Sequence, residues 1–159
     1  MKGLTEMFDE MGYGQVRTYI QSGNVIFRAV PGASAQLSGL ITTEIAKRFG
    51  VRTPVVLRTV EQLGAIICNN PFLKQDIPEE RLHVLFLANL PSQRAVNELD
   101  PDRSPPDLFI VHGQEVYLHL PHGVARSRLT NDYFDSKLAT TSTGRNWRTV
   151  TRLFELMQG

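Results

Sequence analysis

Apolar residues fall at helical spacing in several stretches of the chain. Leu4, Met7, Phe8 and Met11 define an amphipathic helix over residues 2–12, which Gly12 and Gly14 bring to an end. Leu37, Leu40, Ile41, Ile45 and Phe49 define a longer helix closed by Gly50. Thr59 and Gln62 are spaced as a capping box for a third helix, which runs to about Cys68 and stops at Asn69-Asn70-Pro71. A last helix runs over about 146–157, with Trp147, Val150, Phe154 and Met157 on one face.

Between these stretches the pattern turns to strands. Residues 16–21 and 25–28 flank Ser22-Gly23-Asn24, and residues 108–111 and 116–120 flank a second glycine turn. Residues 54–58 and 82–87 read as further strands. Pro91 opens a short helix, 127–138 holds another, and 140–144 reads as a polar loop. The order is α-β-β-α-β-α, then β-α-β-β-α-α: one α/β unit used twice. We therefore expect an α+β fold of two ferredoxin-like subdomains packed as one compact unit. Residues 1–70 form the first, 71–80 a linker rich in proline and charge, and 81–159 the second. The first half fits that unit only if a strand precedes its helix. The chain opens at the helix, so the expectation is a first subdomain without its usual first strand, and an open sheet edge through which copies could associate.

Composition narrows the function classes. The chain has 159 residues and a net charge of +1, so no overall field points to nucleic acid or membrane. Positive charge gathers late: Arg126, Arg128, Lys137, Arg145, Arg148 and Arg152 stand against Asp132, Asp135 and Glu155 beyond residue 123. Cys68 is the only cysteine, which excludes an intrachain disulfide and a cysteine cluster for zinc or iron–sulfur. The apolar runs are too short to span a bilayer, and no leader pattern opens the chain. The expectation is a cytoplasmic protein without cofactor or metal. His112, His119 and His122 lie near one hairpin but need not face one another.

The segment Tyr19-Ile20-Gln21-Ser22-Gly23-Asn24-Val25-Ile26-Phe27, with Thr143-Gly144-Arg145-Asn146-Trp147-Arg148-Thr149-Val150, resembles domain-of-unknown-function family 1697. Arg126-Ser127-Arg128-Leu129-Thr130 and the leading helix are similar to that family too. The resemblance implies tandem ferredoxin-like subdomains and brings no established activity. Members usually begin with a strand and a glycine-rich turn before the first helix, and this chain departs from that pattern.

For function the residues offer one leading reading. Basic side chains at a helix start favour an anion, because the N–H groups there are free and the helix end is positive. Arg126, Arg128, Arg145 and Asn146 are the candidate ligand-binding residues, with Tyr19, Gln21, Ser22 and Asn24 of the first hairpin as a second wall. The ligand would be a small anionic or phosphorylated molecule. No catalytic residue is identified, since Thr141, Ser142 and Thr143 have no histidine at a useful spacing. A second reading is nucleic-acid binding through the basic-aromatic face of Arg17 and Tyr19; a third is a protein-interaction or self-associating module. An enzyme acting on a phosphorylated small molecule is a further class, without a nucleophile to support it.

Overall fold

A computed structural model describes residues 2–19, 23–29 and 34–158. The chain is an α+β protein with two antiparallel sheets. It divides into two compact units, Met1–Val55 with Glu155–Gly159, and Val56–Phe154. Residues 71–80, where the sequence places a linker, contain the 3-10 turns Pro71–Lys74 and Glu79–Arg81 and group with the second unit.

In the first unit, helix α1 (Lys2–Glu10) precedes the hairpin β1 (Gly14–Tyr19) and β2 (Asn24–Arg28), and helix α2 (Ser34–Phe49) follows. The α1 periodicity buries Met7 and Phe8, and that of α2 buries Leu37, Ile41 and Ile45. Phe8, Tyr13 and Phe27 stack in a triad with centroids 4.8–5.9 Å apart. Gln15 adopts a positive φ of 52° where the β1 register shifts, a bulge that turns the strand's following residues. Arg48 ties α2 to Glu10 of α1 at 2.5 Å and to Glu44 at 2.8 Å.

The second unit begins with helix α3 (Val60–Cys68). Its capping box is formed as expected: Gln62 N–H donates to Thr59 Oγ1 at 3.1 Å, and Thr59 N–H donates to Gln62 Oε1 at 2.9 Å. Then come β3 (Leu82–Leu87), α4 (Gln93–Asn97), β4 (Leu108–His112), β5 (Glu115–His119), α5 (Asn131–Leu138), β6 (Ser142–Asn146) and α6 (Trp147–Gln158). The sheet order is β4-β5-β3-β6, antiparallel throughout. Gly113, at φ +60°, makes the β4–β5 turn that a side-chain-bearing residue would strain.

Strand alternation sorts this sheet into two faces. Leu85, Leu87, Val116 and Leu118 pack with Tyr133, Phe134 and Leu138 of α5 and with Leu99 and Leu129. On the other face, Tyr117 is fully buried and its hydroxyl donates to the Ile66 carbonyl of α3 at 2.8 Å. Helix α6 lies beside α3, where a Cβ on Gly64 would meet the Phe154 ring at 3.1 Å.

Three local expectations change. Residues 54–58 form no strand: Pro54 has no N–H for a ladder, and no described strand stands beside them. Of the expected loop 140–144, residues 142–144 belong to a strand that runs to 146, because the free edge of β3 needs backbone partners and these do not require apolar side chains. Ser92, not Pro91, starts α4, its Oγ accepting Ala95 N–H at 3.1 Å.

Arg58 locks the entry of α3 to the end of the sheet. It reaches Glu115 at 3.1 Å with both side chains 12% exposed, donates to the carbonyls of Leu87 and Gln114, and lies 5.6 Å from the Phe86 ring centre. Burial raises the Glu115 pKa above the ordinary carboxylate value, against the opposing pull of Arg58. Arg58→Met should cost about 3–5 kcal/mol, since it leaves a carboxylate buried without its cation. Adding Glu115→Gln should recover part of that loss. Urea unfolding of the two single variants and the double variant measures the coupling, and additive losses would contradict a buried pair.

Candidate functional site

The β3–β6 register sets Arg145 opposite Val84, and Val84 stands opposite Tyr117. Arg145 therefore rises from the sheet face that α3 covers. It sits on the last stretch of β6, not inside a helix start, and α6 begins two residues later. One guanidinium nitrogen donates to the Gly144 carbonyl at 2.7 Å. Partial burial lowers its pKa, because desolvation disfavours the charged form.

Asn146 follows. Its Oδ1 accepts the Thr149 N–H at 2.8 Å, which makes it the cap of α6. The first turn of α6 holds no acidic residue. Arg148 lies there instead, with its side chain 77% exposed and 3.6 Å from Glu79. Across from Asn146 is His83 of β3, half-buried. The start of α6 thus gathers Arg145, Asn146 and Arg148, whereas His83, alternating with Val84, stands on the sheet face of Leu85 and Leu118. Arg148 was not among the ligand-binding candidates, although the Arg-Asn-Trp-Arg run contained the signal for it.

The other candidates are not brought to this point. Arg126 lies in the 3-10 turn Val124–Arg126, and Arg128 leads into α5; both are exposed. The Arg128 N–H donates to Ser104 Oγ at 2.9 Å and its carbonyl accepts from Arg103 at 2.9 Å. Helix α5 packs on the sheet face opposite to that of Arg145, so the sheet stands between the two sets. In the first unit, Tyr19 and Asn24 close the hairpin as register partners, and Asn24 Nδ2 donates to the Tyr19 carbonyl at 3.1 Å. Gln21 and Ser22 lie outside the described residues. Arg17 donates to the Leu156 carbonyl near the end of α6, a C-terminal helix contact.

The hydroxyls beyond α5 are engaged locally. Ser142 Oγ donates to Asp135 at 2.6 Å and accepts from Asn131 at 2.9 Å, and Thr140 Oγ1 accepts the Asn89 N–H at 3.1 Å. His119 packs against Phe72, with ring centres 5.9 Å apart. Among the described residues no group of three or more His, Cys, Asp or Glu converges as a metal site. Nor is any helix among them long and apolar enough to cross a membrane.

A family model described as "Protein of unknown function (DUF1697)" matches residues 1–117. No curated protein matches the chain. Among solved structures, the conserved bacterial protein SP0830 from Streptococcus pneumoniae superposes with a TM-score of 0.74 at 17% identity, covering 100% of this chain and 89% of that one. At that identity the likeness speaks for the fold.

Desolvation lowers the pKa of His83, and it lowers that of His119 too, where Arg81 acts in the same direction and Asp107 opposes. A group whose folded pKa is depressed gives stability that is complete above its unfolded value and lost as pH falls through the folded one. Stability should therefore decline on acidification below about 6.5, the ordinary histidine value. Thermal midpoints at pH 8 and pH 5 measure the decline, and His83→Gln should make it smaller. An unchanged difference in that variant would assign the decline to other groups.

Proposed function

The chain belongs to the DUF1697 family, which carries no activity of its own to transfer, and from the local geometry we propose that it binds a small anionic or phosphorylated ligand, with no catalytic residue identified. The binding point is the start of α6, with Arg145, Asn146 and Arg148. The observation that carries this reading is a partly desolvated arginine directly before a helix whose first turn holds a second, exposed arginine and no acid. Anions gain there from the positive helix end and from charge-assisted hydrogen bonds. Of the wider residue set, Arg126 and Arg128 would serve a separate contact, because the sheet stands between them and Arg145.

We also read the second unit as ferredoxin-like. The support is its β-α-β-β-α-β order from β3 to β6 and its β4-β5-β3-β6 antiparallel sheet. The first unit offers two of the corresponding strands, β1 and β2, between α1 and α2.

Thermal unfolding in inorganic phosphate, against chloride at matched ionic strength, tests the binding reading. Phosphate at about ten times its Kd should add about 1.4 kcal/mol, a rise of roughly 3–5 °C for a chain of this size. Arg145→Gln and Arg148→Gln should each remove most of the rise while leaving the midpoint in chloride nearly unchanged. If both variants keep the full rise, the anion binds elsewhere. A single-stranded oligonucleotide that stabilises where phosphate does not, with an effect that fades in salt, would favour the nucleic-acid reading instead.

A further inference from the structure

The two edges of the β4-β5-β3-β6 sheet are finished differently, and the difference can be read from the hydrogen bonds at its ends. The Leu87 N–H donates to the Gln114 carbonyl and the Leu120 N–H to the Arg81 carbonyl, both at 2.8 Å. Antiparallel bonding alternates, so residues 114, 116, 118 and 120 of β5 point their backbone groups at β3. Residues 115, 117 and 119 then point at β4, where their partners are His112, Ile110 and Leu108. That leaves the N–H and C=O groups of Phe109 and Val111 directed away from the sheet. Among the described residues no hydrogen bond reaches them.

On the opposite edge two outward carbonyls are engaged. The Ala88 N–H donates to the Thr141 carbonyl at 2.9 Å, which by the same alternation turns Ser142 and Gly144 outward. The Ser142 carbonyl accepts from Asn131 at 3.3 Å, and the Gly144 carbonyl accepts from Arg145 at 2.7 Å. Strand β6 also bears a charge. Strand β4, Leu-Phe-Ile-Val-His, has neither a charged residue nor a proline, the usual guards of an edge strand. Leu108 is 48% exposed and Ile110 41% exposed.

We propose that the β4 edge pairs with the β4 edge of a second copy, joining two four-stranded sheets across a two-fold axis at Ile110. The strand is self-complementary in that register. Phe109 faces Val111 of the other copy and exchanges two hydrogen bonds with it, and the symmetric pair supplies two more. Ile110 faces its own counterpart at a position without hydrogen bonds. Leu108 faces His112, so no like charges meet. An uncharged strand offers a charged peptide nothing to select, whereas it matches itself at every position. The contact is short, below the roughly 1,200 Å² of a standard interface, so it forms a concentration-dependent dimer. This inference stands apart from the anion site.

Sedimentation velocity on the full chain, from roughly 10 to 500 μM, should show a dimer growing with concentration, the behaviour of a small interface. Ile110→Lys sets two ammonium groups opposite each other and should weaken association at least about tenfold, while Leu90→Lys on another surface leaves it unchanged. A Cys68→Ser, Ile110→Cys variant should oxidise to a disulfide-linked dimer, since Cα atoms at such a position lie about 4.5 Å apart. That cross-link reports the register even if the lysine variant folds poorly. A wild-type monomer at the highest concentration overturns the proposal and leaves the edge to a different partner. A dimer that survives Ile110→Lys, or an Ile110→Cys variant that does not cross-link, overturns it as well.

Discussion

Strand β3 has to be covered on both faces and paired on both edges, and the second unit is organised around that requirement. Five of its six residues are buried, so neither face can meet water. The Leu85 and Leu87 face is closed by α5 through Phe134 and Leu138. On the other face, Tyr117 beside Val84 is tied to α3 by its hydroxyl, and α3 is backed by α6. Neighbours β5 and β6 satisfy the two edges. A polar stretch such as Ser142–Asn146 becomes a strand for this reason. The free energy comes from backbone groups that β3 would otherwise leave unpaired, not from the side chains of the stretch itself.

The same requirement makes the Arg58–Glu115 pair intelligible. A buried ion pair is weak evidence for net stability, because removing two charges from water costs about as much as their attraction returns. It is better understood as fixing position. A planar guanidinium with several donors can hold a carboxylate and the Leu87 and Gln114 carbonyls together, which a lysine ammonium on a flexible stem would do poorly. One side chain thereby sets where the chain enters α3 relative to the end of β3 and the turn into β5. Misplacement of that entry would pull α3 from the Tyr117 hydroxyl, so packing and polar contacts enforce the same arrangement.

Elements with strong local patterns were legible in the sequence. The 82–87 strand, the Thr59–Gln62 capping box and both glycine hairpins depend on residues close in the chain, and all are found. The features that sequence did not reveal depend on distant partners. Strand β6 has no apolar alternation to announce it. Residues 54–58 hold the continuous apolar run Val55-Val56-Leu57 but pair with no described strand. Arg58 and Glu115 lie 57 positions apart, so no periodicity relates them. For the candidate site, the charge at the start of α6 was visible in the Arg145–Arg148 run. That Arg126 and Arg128 would fall on the other side of the sheet was not, because facing follows from register.

Arg145 joins the site to the architecture. An edge strand needs a charge to discourage other strands, and Arg145 supplies one while its guanidinium covers the Gly144 carbonyl. On the proposed reading an anion at the start of α6 would meet the same guanidinium, so edge protection and ligand capture draw on one side chain. Strand β4 has no such residue. Pairing through β4 as proposed would leave β6 at both outer edges of the resulting eight-stranded sheet, where Asn131 and Arg145 engage the outward carbonyls and each strand carries a charge that discourages further pairing.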